Sequence, residues 1–213
     1  MGFNTGFFIY SFTSLFIIMN PIGLVPLFYL WTSNNTEKEK IILLKKTVFV
    51  VIITLVVFAF FGKFIFEFFG ITIDSFKVAG GILILKISWD MLHAKVSRTR
   101  QTPTEKEEMV QLDDIAVVPL AIPLLAGPGT ITTSIILMEH STTIYDKLTI
   151  LCSIILASLL SAVILSLSDY IANVLKTSGI KAIVRIMGLI LSAISIEIIS
   201  SGIFGLVRAS GLI

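Results

Sequence analysis

The sequence predicts an all-α integral membrane protein with six transmembrane helices, arranged as two inverted three-helix repeats whose first and fourth helices are broken at Pro/Gly motifs. Three observations support this prediction. Hydrophobic residues make up 55% of the 213 residues and charged residues only 14%, whereas soluble domains carry about 25% charged residues. Six apolar stretches have the roughly 20 residues that a membrane helix needs. Finally, proline and glycine interrupt two of these stretches at matching places.

The predicted spans read as helices rather than as strands of a membrane barrel. Barrel strands alternate in polarity every second residue, and runs such as TVFVVIITLVVFAFF do not alternate. The six spans lie at approximately 6–31, 47–69, 75–92, 115–138, 148–172 and 183–207.

Lysine and arginine predict the orientation of the spans. The connections after the first, third and fifth spans hold eleven of these residues, and the opposite side holds four. Because positive charge accumulates on the cytoplasmic side, we expect both termini to be extracytoplasmic. The protein would then be a multi-pass membrane protein with its linker in the cytoplasm.

The two halves of the chain resemble each other weakly. A shift of 107 or 108 residues aligns NPIG from Asn20 with GPGT from Gly127, and Lys77-x-x-Gly80 with Arg185-x-x-Gly188. Three spans per half is an odd number, so the second half must enter the membrane inverted. We therefore expect one transmembrane domain over 1–213, with a first repeat over 1–93, a cytoplasmic linker over 94–114 and a second repeat over 115–213.

The interrupted motifs predict two broken helices. Asparagine is a favoured helix N-cap and proline a favoured first residue, so new helices should start at Pro21 and Pro128. Their N-terminal ends would carry free N–H groups and partial positive charge, which suit a carboxylate. Paired interruptions in inverted halves indicate a transporter's binding site. The predicted substrate-binding residues are Asn20, Pro21, Gly23, Pro26, Gly127, Pro128, Gly129 and Thr130.

One acidic residue lies deep in the sixth span. Glu197 is 14 residues into that span, or roughly 21 Å from its cytoplasmic end. An ionised carboxylate at mid-membrane costs on the order of 3 kcal/mol and usually marks a transport pathway. Glu197 is therefore a candidate proton-coupling residue, and the alternative is a glutamate that only packs between helices beside nearby serines.

Motifs for catalysis, metal binding and nucleotide binding are absent from the sequence. It contains no HExxH pair, and its two histidines, His93 and His140, fall at opposite ends of the predicted spans. We therefore expect no enzyme, no metal and no cofactor. The net charge of +2 does not indicate a nucleic-acid partner.

Four segments of the chain resemble the MarC family of six-span inner-membrane proteins. They are NPIGLVPLF, VAGGILILKISWDML, PLAIPLLAGPGTITTSI and VRIMGLILSAISIEII. The family is grouped with LysE-type exporters and includes SnatA-type transporters, which move glycine and alanine in dependence on the proton gradient. This resemblance implies a transporter whose two signature breaks fall at Asn20–Pro26 and Gly127–Thr130.

The expected function is secondary transport of a small neutral amino acid across the lipid bilayer, coupled to the proton gradient. The direction of transport stays open, and so does a homo-oligomeric state. Two alternatives also stay open: an exporter of another small metabolite, and a channel or scaffold that transports no amino acid.

Overall fold

The computed structural model describes residues 4–33, 35–93 and 116–211, so the predicted linker over 94–114 lies outside the described residues. Every element in the described ranges is helical. In chain order the helices are α1 (Thr5–Met19), α2 (Pro21–Thr32), α3 (Glu37–Phe69), α4 (Ile73–Leu92), α5 (Ala116–Leu125), α6 (Pro128–Glu139), α7 (Ile144–Ser166) and α8 (Ser168–Ala209).

The starts of α3 and α7 share one local motif. In each case a threonine N-cap accepts a hydrogen bond from the third residue of the helix, and the acidic side chain of that residue accepts one from the N-cap amide. This reciprocal capping satisfies donors that would otherwise stay unpaired at a helix start. The pairs are Thr36 with Glu39 and Thr143 with Asp146.

Four stretches of the described residues are long and apolar enough to cross a membrane: Thr5–Thr32, Glu37–Phe69, Ile144–Ile171 and Ala182–Ala209. The pair α5 and α6, bent by 59°, makes a fifth if it counts as one span. The predicted third span corresponds to α4, which is not among these stretches and carries Asp74, Lys77, Lys86 and Asp90. An all-helical protein with several membrane spans is confirmed, and the number six is not.

The connection between the predicted fifth and sixth spans is helical. The backbone is helical from Ser168 to Ala209, and the stretches Ile144–Ile171 and Ala182–Ala209 are separate candidate spans on either side of it. The segment has no proline, and its single glycine, Gly179, does not end the helix. Positive charge marks a membrane side, but it does not by itself interrupt a helix.

The helices pack mainly with partners from the other half of the chain. The first two helices, α1 and α2, pack against α7, and α2 also packs against α8. In the same way α5 and α6 pack against α3, and α6 also packs against α4. The centre of the bundle contains fully buried side chains from both halves, including Leu15, Phe28, Leu55, Leu120 and Ile154.

The helices α4 and α8 run antiparallel and approach each other closely. A Cβ placed on Gly202, near the end of α8, would lie 2.6 Å from the carbonyl oxygen of Asp74 at the start of α4. The corresponding position on Gly188 lies 3.1 Å from the carbonyl oxygen of Ser88, near the other end of α4. Small residues at such crossings let two membrane helices come together.

One ion pair joins the first turns of α3 and α8. The ammonium group of Lys40, a residue only 6% exposed, lies 2.5 Å from the carboxylate of Asp169 and 3.5 Å from that of Glu37. Since Asp169 belongs to the second half, this pair connects the two halves at the end where α3 begins.

Candidate substrate site at two helix breaks

The first break lies at Asn20, which both ends α1 and caps α2. Its backbone is left-handed, with φ of 46°, and its N–H donates to the carbonyl oxygens of Phe16 and Ile17, each at 3.2 Å. Asparagine adopts this conformation more readily than most residues. The Asn20 Oδ1 atom accepts a hydrogen bond from the Gly23 N–H at 3.3 Å, so α2 starts at Pro21 as the sequence predicts.

The second break lies at Gly127, immediately before α6. This glycine has extended backbone, and a side chain here would collide with the carbonyl oxygen of Pro123. Glycine is therefore required here because a side chain would have no room beside the Pro123 carbonyl, and not because the backbone dihedral angles exclude other residues. The helix α6 starts at Pro128, also as predicted. The α5 segment before it is irregular, with extended backbone at Val118 and Ile122 and cis bonds to the prolines that follow them.

The two helix starts differ in their free donors. At α2 the Asn20 side chain occupies the Gly23 N–H. At α6 the cap is a glycine and offers no side chain, and among the described residues the N–H groups of Gly129 and Thr130 make no hydrogen bond. The Thr130 hydroxyl turns back to the Leu125 carbonyl at 2.9 Å. The start of α6 therefore lacks a side-chain cap, whereas at the start of α2 the Asn20 side chain occupies one donor, the Gly23 N–H.

The end of α1 lies against the start of α6. The Cγ2 atom of Ile18 is 3.0 Å from the position that a Cβ would take on Gly129, and Ile18 is two residues before the first break. Among the described residues, the carbonyl groups of Ile18 and Met19 accept no backbone hydrogen bond. The structure thus packs the Ile18 side chain, near the end of α1, against the start of α6.

The helix α8 contacts both breaks. The Cε atom of Met187 and the Nδ2 atom of Asn20 each lie 2.6 Å from the position that a Cβ would take on Gly23. Ile198, on the same helix, has its Cδ1 atom 4.0 Å from the corresponding position on Gly129. About three turns of helix, or roughly 16 Å, separate Met187 from Ile198.

These contacts sort the predicted site residues. Gly129 contacts Ile18 of α1, and Pro128 packs on Gly80 of α4, whereas Asn20 and Pro21 follow the end of α1 with no described contact to α6. Gly23 lies further along α2, covered by Asn20 and Met187. Pro26 lies inside α2, and no described contact links it to α6.

Glu197 does not point at the breaks. The next residue, Ile198, lies near Gly129. Ser195 and Ile199 face Gly81 of α4, and by helical geometry Glu197 projects from the opposite side of α8. Its side chain is exposed. Among the described residues it makes no hydrogen bond or ion pair, and its role in proton coupling stays a prediction.

The sequence did not indicate Ile18, Met187 or Ile198 as site residues. All three are apolar residues in apolar spans, so their residue types carry no signal. The proline and glycine motifs marked where the helices break, and only the packing reveals which side chains cover them.

A family comparison identifies the chain. The model of the MarC family, described as integral membrane proteins, matches residues 5–207. The chain belongs to the MarC family. This confirms the resemblance that the four sequence segments indicated.

Similar MarC proteins occur in archaea and bacteria. A UPF0056 membrane protein of Methanocaldococcus jannaschii is 48% identical over 200 residues, which cover 94% of this chain and 88% of the relative. One from Aquifex aeolicus is 38% identical over 202 residues, covering 94% of each chain. The YhcE membrane protein of Escherichia coli is 37% identical over 195 residues, covering 92% of this chain and 91% of the relative. No solved structure matches the chain.

Proposed function

We propose that this MarC protein is a secondary transporter of small neutral amino acids such as glycine and alanine, driven by the proton gradient across the cell inner membrane. One observation carries the proposal: the end of α1 packs against the start of α6, where the Ile18 side chain contacts Gly129. An amino acid zwitterion carries both charges that such a pair of helix ends attracts.

The carboxylate of the substrate binds at the start of α6. The free N–H groups of Gly129 and Thr130 donate to it, and the helix end adds about half a positive charge. The ammonium group binds at the end of α1, where the carbonyl groups of Ile18 and Met19 face it with partial negative charge. Irregular backbone at membrane depth is tolerated where it lines such a cavity.

Two inverted repeats supply the transport mechanism. Three pairs of helix features recur 107 residues apart: the starts at Pro21 and Pro128, the threonine caps at 36 and 143, and the 12-residue lengths of α2 and α6. The equivalent helices α4 and α8 are antiparallel, as inversion requires. Such repeats support alternating access by movement of one repeat against the other.

The helix α4 completes the first repeat as its third span. Its charges fall near its two ends, Asp74 and Lys77 at one and Lys86 and Asp90 at the other. Lysine side chains in such places reach toward the membrane surface. The helix also packs lengthwise along the 182–209 span of α8, which supports a position across the bilayer.

Glu197 couples substrate movement to protons in this proposal. It is an ionisable group next to Ile198, which contacts the α6 end of the site. Acidic residues inside membrane spans commonly serve as proton relays.

The test is counterflow of labelled glycine in proteoliposomes that contain the purified protein. Unlabelled glycine and alanine should compete with the label. Ethylamine, which lacks the carboxylate, and propionate, which lacks the ammonium group, should not. Proteoliposomes without protein give the background, and an imposed pH gradient should drive accumulation. Equal competition by ethylamine or propionate would contradict the zwitterion site, and no glycine exchange at all would contradict amino acid transport.

A further inference from the structure

The helices α4 and α8 meet along a seam, and the helix α6 lies on the inner side of that seam. On α4, Gly80 packs on Pro128 of α6, and Ser88 faces Gly188 of α8. With about 3.6 residues per turn, Trp89 projects roughly 100° further round α4 than Ser88, on the side away from α6. Trp89 is 61% exposed. It therefore lies on the outer side of the seam.

Arg185 of α8 lies on the same outer side. On α8, Ile198 faces Gly129 of α6, and Gly188 faces the last turns of α4. Arg185 projects about 60° beyond Gly188, on the side away from Ile198, and it is exposed. Because the two helices are antiparallel, Arg185, one turn before Gly188, is level with His93 at the end of α4.

An aromatic pair and two cations meet at this end of the seam. The rings of Trp89 and His93 stack with their centroids 4.5 Å apart, and the Nδ1 atom of His93 lies 2.9 Å from the Trp89 carbonyl oxygen. Lys86 is exposed and lies one turn before Trp89 on the same face of α4. Within the described part of the chain neither Lys86 nor Arg185 forms an ion pair, not even with Asp90, four residues after Lys86. We call Lys86, Trp89, His93 and Arg185 the Trp89 cluster.

Exposed apolar residues continue along the outer side of the seam toward the middle of the two helices. Ile82 on α4 is 54% exposed, and Leu189 and Ile196 on α8 are 58% and 51% exposed. At about 1.5 Å per residue they extend roughly 10 Å beyond Trp89 and roughly 16 Å beyond Arg185. The seam thus offers an apolar surface that begins at the cluster and runs away from it.

From this arrangement we infer that the Trp89 cluster binds an anionic phospholipid. The guanidinium group of Arg185 matches a phosphate group with paired hydrogen bonds, and the Lys86 side chain extends toward the same headgroup. Trp89 lies at headgroup depth, as interfacial tryptophans do, and one acyl chain lies along the apolar seam. Basic pockets between membrane helices are typical sites for anionic headgroups. A free phosphate ion would use the cations but leave the seam uncovered.

The experiment measures which lipid lies beside Trp89. The chain has two tryptophans, so Trp31→Phe leaves Trp89 as the only source of tryptophan fluorescence. The full-length protein is reconstituted in vesicles of phosphatidylcholine and phosphatidylglycerol, and either one lipid or the other carries brominated chains that quench a neighbouring tryptophan. The ratio of the two quenching values gives the lipid preference at Trp89. The measurement needs no amino acid, so it is independent of transport.

The variants change one basic residue at a time in the Trp31→Phe background. They are Arg185→Gln, Arg185→Lys and Lys86→Gln, all at exposed positions where no packing is lost. Lys45→Gln is the matched control, because Lys45 is an exposed lysine on a different helix, α3.

We expect phosphatidylglycerol to be preferred at Trp89 by at least about fivefold, which is what one basic residue at a membrane surface is worth. Arg185→Gln and Lys86→Gln should each lower this preference severalfold. Arg185→Lys should fall between Arg185→Gln and the parent protein, since lysine keeps the charge but loses the paired hydrogen bonds. Lys45→Gln should keep the full preference.

Three results would overturn the inference. Equal quenching by the two brominated lipids would mean that Trp89 meets bulk lipid only. An undiminished preference in both glutamine variants, or an equal loss in Lys45→Gln, would assign the preference to general surface charge. Loss of the preference on adding inorganic phosphate at constant ionic strength would make the cluster a site for a soluble anion instead of a lipid.

Discussion

The ammonium group of Lys40 lies 2.5 Å from the carboxylate of Asp169, and this contact ties the first turn of α3 to the first turn of α8. The lysine side chain is 8% exposed and the aspartate side chain 30% exposed, so the pair is buried mainly on the lysine side. The position of Asp169 in the first half, 107 residues earlier, is Gly62, which carries no charge. The contact therefore has no counterpart at the equivalent place of the other repeat.

Removing one partner of this pair should destabilise the protein. Within the described part of the chain, Asp169→Asn leaves the buried Lys40 ammonium paired with Glu37 alone, whose side chain is 75% exposed. We expect a loss of about 1–3 kcal/mol, between the values for exposed and buried pairs. The measurement is thermal unfolding in detergent. Lys40→Met combined with Asp169→Asn should recover part of the loss, and Lys38→Met at an exposed lysine is the control. Additive losses in the double variant would argue against a direct pair.

Gly129→Val should abolish glycine exchange while leaving membrane insertion intact. A valine side chain must displace Ile18, and it occupies the space beside the free N–H groups of α6. Gly6→Val is the control, since the nearest atom to its added Cβ is the Asn4 Oδ1 atom at 3.4 Å. Normal exchange by Gly129→Val would place the substrate elsewhere and reduce the breaks to kinks.

Glu197→Gln should uncouple transport from the proton gradient without unfolding the protein. Glutamine keeps the shape of the side chain but cannot titrate, and the exposed position of Glu197 leaves no packing to disturb. We expect glycine counterflow to persist, while accumulation driven by a pH gradient falls to the level seen without a gradient. Glu67→Gln, at an exposed carboxylate near the end of α3, is the control. Undiminished accumulation by Glu197→Gln would make the residue structural.

The charge distribution predicts that both termini are extracytoplasmic and that the linker is cytoplasmic. A cysteine added after Ile213 should react with a membrane-impermeant maleimide applied to intact cells, and one placed at Ser97 should not, in a background with Cys152 replaced by serine. The opposite pattern would reverse the assignment of inside and outside.

The sequence predicted features that depend on local chemistry. Asn20–Pro21 and Gly127–Pro128 start helices because capping and the missing proline N–H act within a few residues, and the structure has α2 and α6 beginning there. The sequence could not reveal that Asn20 uses its own side chain to occupy the Gly23 donor. The contact of Ile18 with Gly129 depends on long-range packing, and apolar side chains in a membrane give no periodic polarity from which to infer it.

The sequence reads two elements less fully than the structure does, for physical reasons. Charged residues over 176–185 separate two candidate spans but do not end α8, because ending a helix takes a conformational break and not merely polarity. In α4 the apolar middle predicts a span, and the four charged residues near its ends keep it outside the candidate spans.

The helices of the first half pack mainly against helices of the second half, and this packing has a consequence for biosynthesis. When α1 and α2 leave the ribosome, the surfaces of α7 and α8 that cover them do not yet exist. Asn20 and the capped start of α2 therefore stay in contact with lipid, or with the insertion machinery, until α7 and α8 are inserted. Helices inserted one by one can associate later within the bilayer, so assembly of the bundle is a late event that needs nearly the whole chain. A nascent chain cut short after α4 leaves α1 and α2 without the helices that cover them.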